Sequence, residues 1–201
     1  MRLLAIDTSG RACSLALFED GTLIAERHEE IGRGHAERVI PWIAQFPGGG
    51  RADAILVGCG PGSFTGVRVG IAAARALGLG WGVPVHGLGS LGLIAASVED
   101  VELVQVAIEG GHGEVFVQCF STAPLSAVAD MQSLTPEVAA GQLTGEAIYG
   151  SGAARVVAAK GSGIAHAAEA RAAVVLSLPE ALRQLPPRPI YGRAPDAKPM
   201  P

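Results

Sequence analysis

The chain has 201 residues, enough for one large domain or two small ones. Hydrophobic residues make up 49% and charged residues 17%, a balance that excludes a disordered chain and supplies ample material for a core. The formal net charge is −4, and only Lys160 and Lys198 among the 15 basic residues are lysines, so a polybasic clamp for nucleic acid is excluded.

Leu3 to Ile6 is a short apolar run closed by Asp7-Thr8-Ser9-Gly10, which predicts a strand followed by a turn. Ala12 to Phe18 predicts a second strand, Glu19-Asp20-Gly21 a tight turn, and Leu23 to Arg27 a third strand. A helix follows from Gly34 to Phe46, with Pro41 placed to kink it or delay its start, and Pro47-Gly48-Gly49-Gly50 ends it. Ala54 to Cys59 predicts a strand buried on both faces. A long helix from Ser63 to Gly80, a strand from Val83 to His86 and a helix from Ser90 to Val98 complete the first half.

After Glu99-Asp100 a similar order begins again. Glu102 to Ile108, Glu114 to Phe120 and Leu125 to Met131 predict three strands. Thr135-Pro136-Glu137 is an N-cap with proline at the first helical position, opening a helix to Gln142. Ala147 to Tyr149 predicts a strand, Ile164 to Ala170 a helix, Val174 to Leu176 a strand and Pro179 to Leu185 a helix. The tail from Pro186 is too rich in proline to be regular. The expected division is 1–98 and 99–201.

Two halves of β-β-β-α-β-α-β-α order predict an α/β fold of the actin, sugar-kinase and Hsp70 ATPase group (ribonuclease H-like), with a degenerate second half. In that plan the first strands of both halves face a shared cleft. Asp7 ends the first strand of one half and Glu109 that of the other. With Thr8 and Ser9 they form a candidate site for ATP or ADP with magnesium, since a hard cation favours oxygen ligands. The alternative is that each carboxylate caps a strand-end turn through backbone donors.

Gly60-Pro61-Gly62-Ser63-Phe64-Thr65-Gly66 joins a predicted buried strand to the long helix. Such a junction is either a capped turn or a generic anion site. It lacks the lysine of a Walker loop and the glycine spacing of a dinucleotide fingerprint. Beyond it, Gly62, Gly66, Gly70, Ala74, Gly78 and Gly82 recur at every fourth residue. Glycine in a helix interior costs about 1 kcal/mol relative to alanine, so close packing must offset several kcal/mol. The expectation is that one helix face packs on the sheet while this side-chain-poor ridge meets the first helix or a second protein.

His28, His35, His86, His112 and His166 include no pair four residues apart, so a zinc-hydrolase helix is not expected and His35 is expected to pack rather than ligate. Cys13, Cys59 and Cys119 lie far apart among apolar residues and are expected to be buried in strands, without disulfides. The early Asp7 leaves no signal-peptide core, and the most apolar stretch, 67–85, is interrupted by Arg68, Arg75 and Pro84. A cytoplasmic chain with no membrane span is expected.

Leu4-Ala5-Ile6-Asp7-Thr8-Ser9 with Ala12-Cys13-Ser14, His35-Ala36-Glu37 with Pro41, and Gly60 to Gly66 followed by Val67-Arg68-Val69-Gly70 resemble the TsaB family. Pro189-Ile190-Tyr191-Gly192-Arg193 resembles that family's closing Pro-x-Tyr-x-Arg pattern. The resemblance is dense over 1–98 and patchy beyond it. One departure is Glu109-Gly110-Gly111, where the family usually carries Asp-Ala-Arg.

The resemblance implies a non-catalytic subunit of the bacterial machinery that transfers threonylcarbamoyl to adenosine 37 of tRNA. It implies a heterodimer with the catalytic paralogue TsaD, work alongside the ATPase TsaE, and tRNA contact only through the complex; a helix pair that fits a paralogue can also fit itself, so a homodimer in isolation is the alternative. It places the partner contact on the two first-half helices, at His35, Arg38, Val39 and Trp42 on the first and Ser63, Phe64, Gly66, Val67, Gly70, Ile71 and Ala74 on the second. The competing expectation is a small ATP-dependent phosphotransferase built on Asp7, Thr8, Ser9 and Glu109.

Overall fold

β1 (Arg2–Asp7) sits at the centre of the first sheet, antiparallel to β2 (Ala12–Glu19) and parallel to β4 (Ala54–Gly58). A central strand is covered on both faces, which is why Leu3 to Asp7 are all buried and nearly all apolar. The computed structural model describes residues 1–192. β3 (Thr22–Glu30) is the edge strand beyond β2 and carries Glu26, Arg27, Glu29 and Glu30, charges that suit an unpaired rim. Asp20 and Gly21 both take positive φ, 49° and 81°, and so close the β2–β3 hairpin. β5 (Val85–Leu88) pairs parallel to β4 at the other edge.

Side chains alternate between the faces of a strand, so each strand feeds two cores. Leu4, Ile6, Leu15 and Leu17 point to one face, where α1 (His35–Ala44) and α2 (Phe64–Trp81) cover them with Val39, Ile43, Val67 and Ile71. Leu3, Ala5, Ala16 and Phe18 point to the other face and join α3 (Ser90–Ala95) in a core shared with the second half. α1 runs unbroken through Pro41, which lies on its exposed side.

The second sheet contains β6 (Leu103–Glu109), β7 (Val115–Thr122), β8 (Leu125–Ala127), β10 (Ala147–Tyr149) and β11 (Ile164–His166) in the order β11-β10-β6-β7-β8. β9 (Gln132–Leu134) pairs with the far end of β7. The first sheet reads β3-β2-β1-β4-β5. Both therefore place their first strand in the middle, two antiparallel strands on one side and two parallel strands on the other. This is the expected duplicated actin and Hsp70-type plan. α4 (Pro136–Gln142) and α5 (Ala153–Lys160) cover the second sheet through Ala139, Ala153 and Val156.

Three predicted elements differ. Of the strand expected over 125–131 only β8, 125–127, is strand, pairing with Phe120–Thr122; β9 lies beyond the expected range and pairs with Val115–Val117. The helix expected over 164–170 is strand β11, and the helix of that region is α5, ended by Gly161 at φ 73°. The strand expected over 174–176 is a 3-10 turn, Ala172–Ser177, which buries Ala172 and Val175 three residues apart.

After β11 the chain returns to the first half. The Ala172 N–H donates to Ser14 Oγ at 2.8 Å, and Arg171 forks onto Glu26 at 2.7 and 3.1 Å. Past α6 (Glu180–Arg183), Leu185 and Gly87 exchange backbone hydrogen bonds, and the Ile190 N–H donates to the Cys59 carbonyl. Of the closing Pro-x-Tyr-x-Arg pattern, Arg193 lies outside the described residues.

Candidate functional site

A cavity of about 780 Å³ lies between the halves. Its apolar wall comes from Ile94, Ile108, Phe116 and Ala170, where α3, β6, β7 and the returning chain converge. Arg11, Arg68, Glu109 and Glu169 place charge on its lining, to which Ile190, Tyr191 and Gly192 also belong. Arg68 lies flat against Phe64, with its guanidinium carbon 3.6 Å from the ring centroid. Its Nε and Nη2 both donate to Tyr191 Oη, at 3.3 and 2.9 Å. This latch ties the start of α2 to the end of the described chain.

The expected strand-end carboxylates sit where the element order put them, at the ends of β1 and β6. They are not equivalent. Glu109 is exposed and lines the cavity, and its backbone N–H donates to Ser151 Oγ at 3.1 Å. Asp7 is 1% exposed. Its Oδ1 accepts from the Ser9 N–H at 2.9 Å and the Ser9 hydroxyl at 2.8 Å, and its Oδ2 accepts from the Ser90 hydroxyl at 2.7 Å. Burial pushes its carboxyl above the ordinary value, against the pull of these three donors. Asp7 is thus a strand-end cap sealed from the cavity by Ser9 and Ser90. Thr8 is also buried, its hydroxyl donating to the Gly66 carbonyl at 2.7 Å. Of the four proposed cleft residues, Ser9 and Glu109 face the cavity. Among the described residues no three His, Cys, Asp or Glu side chains converge as a metal-ligand set.

The glycine loop explains itself by close approach within the chain. The Ser63 N–H donates to the Ser9 carbonyl at 2.7 Å, and Ser63 Oγ caps α2 through the Gly66 N–H. A Cβ on Gly62 would collide with the Ser9 carbonyl, and one on Gly66 with the Thr8 carbonyl. At Gly70 it would meet Thr8 Oγ1, and at Gly78 the Val85 side chain. The small-residue ridge of α2 therefore seats the helix on the β1 turn and on β5. This corrects the expectation that the ridge meets α1 or a second protein.

The residues assigned to a partner contact divide in the same way. Val39, Gly66, Val67, Gly70, Ile71 and Ala74 are buried in the chain's own core, as are His35 and Trp42 at their inner ends. His35 Nε2 lies 3.3 Å from the Ala12 carbonyl, a packed histidine as expected. Arg38, Ser63 and Phe64 remain exposed. The exposed faces that sequence reasoning passed over carry Ile40, Pro41 and Ala44 on α1 and Ala72, Ala76 and Leu79 on α2. Leu79 is 87% exposed and Ile40 46%. Ala72, Ala76 and Leu79 are spaced at i, i+4 and i+7, a helical face about opposite the glycine ridge. Sequence reasoning also missed Arg11, Phe116 and Glu169 in the cavity, which only the return of the chain brings together.

Cys13 and Cys59 are buried and Cys119 half-buried, all free thiols. Burial pushes the Cys13 thiol up to about 12 and raises the other two. No helix among the described residues is long and apolar enough to cross a membrane.

A family model described as TsaD, tRNA N6-adenosine threonylcarbamoyltransferase, matches residues 28–124. The tRNA threonylcarbamoyladenosine biosynthesis protein TsaB of Escherichia coli is 40% identical over 124 residues, covering 58% of this chain and 53% of that protein. Its namesake in Haemophilus influenzae is 37% identical, with 58% and 52% covered, so the match spans about half the length of these relatives. Among solved structures, YeaZ from Pseudomonas aeruginosa superposes with a TM-score of 0.80 at 25% identity, covering 94% of this chain and 99% of that one. With its fold shared along nearly the whole of that structure and its sequence matching curated TsaB proteins over about half their length, the chain is similar to TsaB proteins.

Proposed function

We propose that this chain acts in the biosynthesis of threonylcarbamoyladenosine in tRNA as a scaffold subunit, activating a TsaD-like catalytic partner without performing the transfer. The naming of its relatives supports the pathway. The observation that carries the scaffold reading is the outer face of the α1–α2 pair. α2 spends only Arg68 and Arg75 on charge in 18 residues, and its solvent side presents Ala72, Ala76 and Leu79 beside Ile40, Pro41 and Ala44 of α1. Small and aliphatic side chains let helices from two proteins approach closely, and such a face suits an interface of ~800 Å² per partner.

The partner surface is therefore moved outward from the residues first assigned to it, retaining Arg38, Ser63 and Phe64 and adding Ile40, Ala72, Ala76 and Leu79. A homodimer through the same face is the state expected of the isolated chain. ATP or ADP with magnesium is placed at or near the partner junction rather than on Asp7, and a TsaE-like ATPase and tRNA are reached through the complex.

Co-purification with a TsaD-like protein tests this reading. Leu79→Glu combined with Ile40→Glu puts two charges on the exposed face without touching the core, and is expected to abolish the complex and stop tRNA modification in a reconstituted assay. Val138→Glu, exposed on α4, is the control that leaves both unchanged. Survival of the complex in the double variant would overturn the assignment of this face.

A further inference from the structure

We propose that the cavity between the halves binds a small zwitterion with a bulky apolar side chain, an α-amino-acid-like molecule, and does not bind a magnesium nucleotide. The charges on its lining carry the inference. Arg11 and Arg68 contribute two cations and Glu109 and Glu169 two carboxylates, a lining that is neutral overall. Arg11 lies 4.0 Å from Glu30 and Glu169 accepts from the Arg11 N–H at 3.1 Å, which leaves Arg68 and Glu109 to meet a ligand. A magnesium-bound nucleoside triphosphate keeps a net negative charge that a lining of no net charge does not offset. An uncharged apolar molecule would desolvate Arg68 and Glu109 and pair neither. A molecule with one carboxylate and one ammonium group meets a partner of each sign.

The usual anchors for a magnesium–phosphate group are engaged elsewhere. Asp7 is buried behind Ser9 and Ser90, and the Gly60–Gly66 loop is pressed onto the Thr8–Ser9 backbone. Arg68 is instead set up for a planar anion. Stacking on Phe64 and bonding to Tyr191 through Nε and Nη2 fix its plane, and within the described residues Nη1 has no hydrogen-bond partner. In the same lining, Ile94, Ile108, Phe116 and Ala170 supply apolar surface for the body of the ligand. About 780 Å³ falls in the range of small-molecule sites, ~300–1,000 Å³.

Titration of the full chain in a calorimeter tests the proposal with L-phenylalanine as the probe, and with 3-phenylpropionate, 2-phenylethylamine and magnesium-ATP as comparisons. Saturable binding of phenylalanine with Kd at or below about 1 mM is expected, about tenfold tighter than either singly charged analogue, with no heat from magnesium-ATP. Arg68→Gln is expected to weaken phenylalanine about tenfold and leave 2-phenylethylamine unchanged, a split that general damage to the fold would not give. Glu109→Gln supplies a second variant. Glu109 is exposed on the cavity lining, so its loss is expected to weaken phenylalanine about tenfold and leave 3-phenylpropionate unchanged while the circular dichroism spectrum is kept. Binding of magnesium-ATP in place of phenylalanine, absence of saturable phenylalanine binding, or unchanged phenylalanine binding in both variants would each overturn the proposal.

Discussion

Gly66 and Gly80 lie in the same helix and predict opposite responses to the same methyl group. At Gly66 the new Cβ would strike the Thr8 carbonyl, which is backbone and held in β1, so Gly66→Ala is expected to cost about 1–3 kcal/mol. At Gly80 nothing lies within 4 Å, so Gly80→Ala is expected to gain up to about 1 kcal/mol from helix propensity alone. Urea denaturation of the two variants measures the pair. Asp7 gives a second test, through pH. Burial lifts its carboxyl, so the fold favours the protonated form. That contribution is complete below the unfolded-state value, near ~4, and is lost as pH rises through the higher folded-state value. Asp7→Asn, which cannot ionise, is therefore expected to improve relative to the wild type as pH is raised from about 4 to about 7. Glu169 is raised by burial too, but it is present in both proteins and cancels in the comparison. A wild-type advantage that grew with pH would mean that Asp7 is held as an anion, as a cation ligand would be.

Elements with a strong local signal were legible in the sequence, and those defined by distant partners were not. β1, β2, β4 and α2 carry long apolar or small-residue patterns that depend little on context, and they fall within a residue or two of their predicted bounds. β11 has three residues, all exposed, and becomes a strand only because β10 pairs with it. α5 is an alanine-rich stretch whose inward side is Ala153 and Val156, too weak a period to register without the sheet it covers. The strand ends that flank the cavity could be located from element order, but the sealing of Asp7 by Ser90 joins residues 83 apart in sequence and has no local signature. The returning segment is the clearest case. Its prolines forbid regular structure, yet Leu185, Ile190 and Tyr191 tie it to Gly87, Cys59 and Arg68. Ending the chain after Gln184 removes those bonds and uncovers the side chains beneath Ile190. The expected loss is about 2–3 kcal/mol, near that for exposing one isoleucine, with Cys59 becoming open to alkylation at neutral pH. Unchanged thermal midpoint and unreactive Cys59 in the shortened chain would show that the returning strap neither stabilises the first half nor covers Cys59.

At the scale of the molecule, the two sheets share one core. Leu3, Ala5 and Phe18 of the first half pack in a single cluster with Val104, Phe120 and Val175, and α3 lies between them. Residues after β11 then add hydrogen bonds from Arg171, Ala172 and Leu185 back to the first sheet. Neither half can lose its fold without exposing the buried face of the other, so unfolding is expected to be one cooperative transition despite the duplicated plan. The placement of the tryptophans makes this measurable without labels. Trp42 and Trp81 both belong to the first half, on α1 and α2, so their fluorescence reports that half alone. Far-ultraviolet circular dichroism reports both halves. In a urea titration the two signals are expected to share one midpoint and one slope. A fluorescence transition displaced from the circular dichroism curve would mean that the halves unfold separately. The cavity between them would then be a gap between two independently stable bodies, held by the strap and not by the common core.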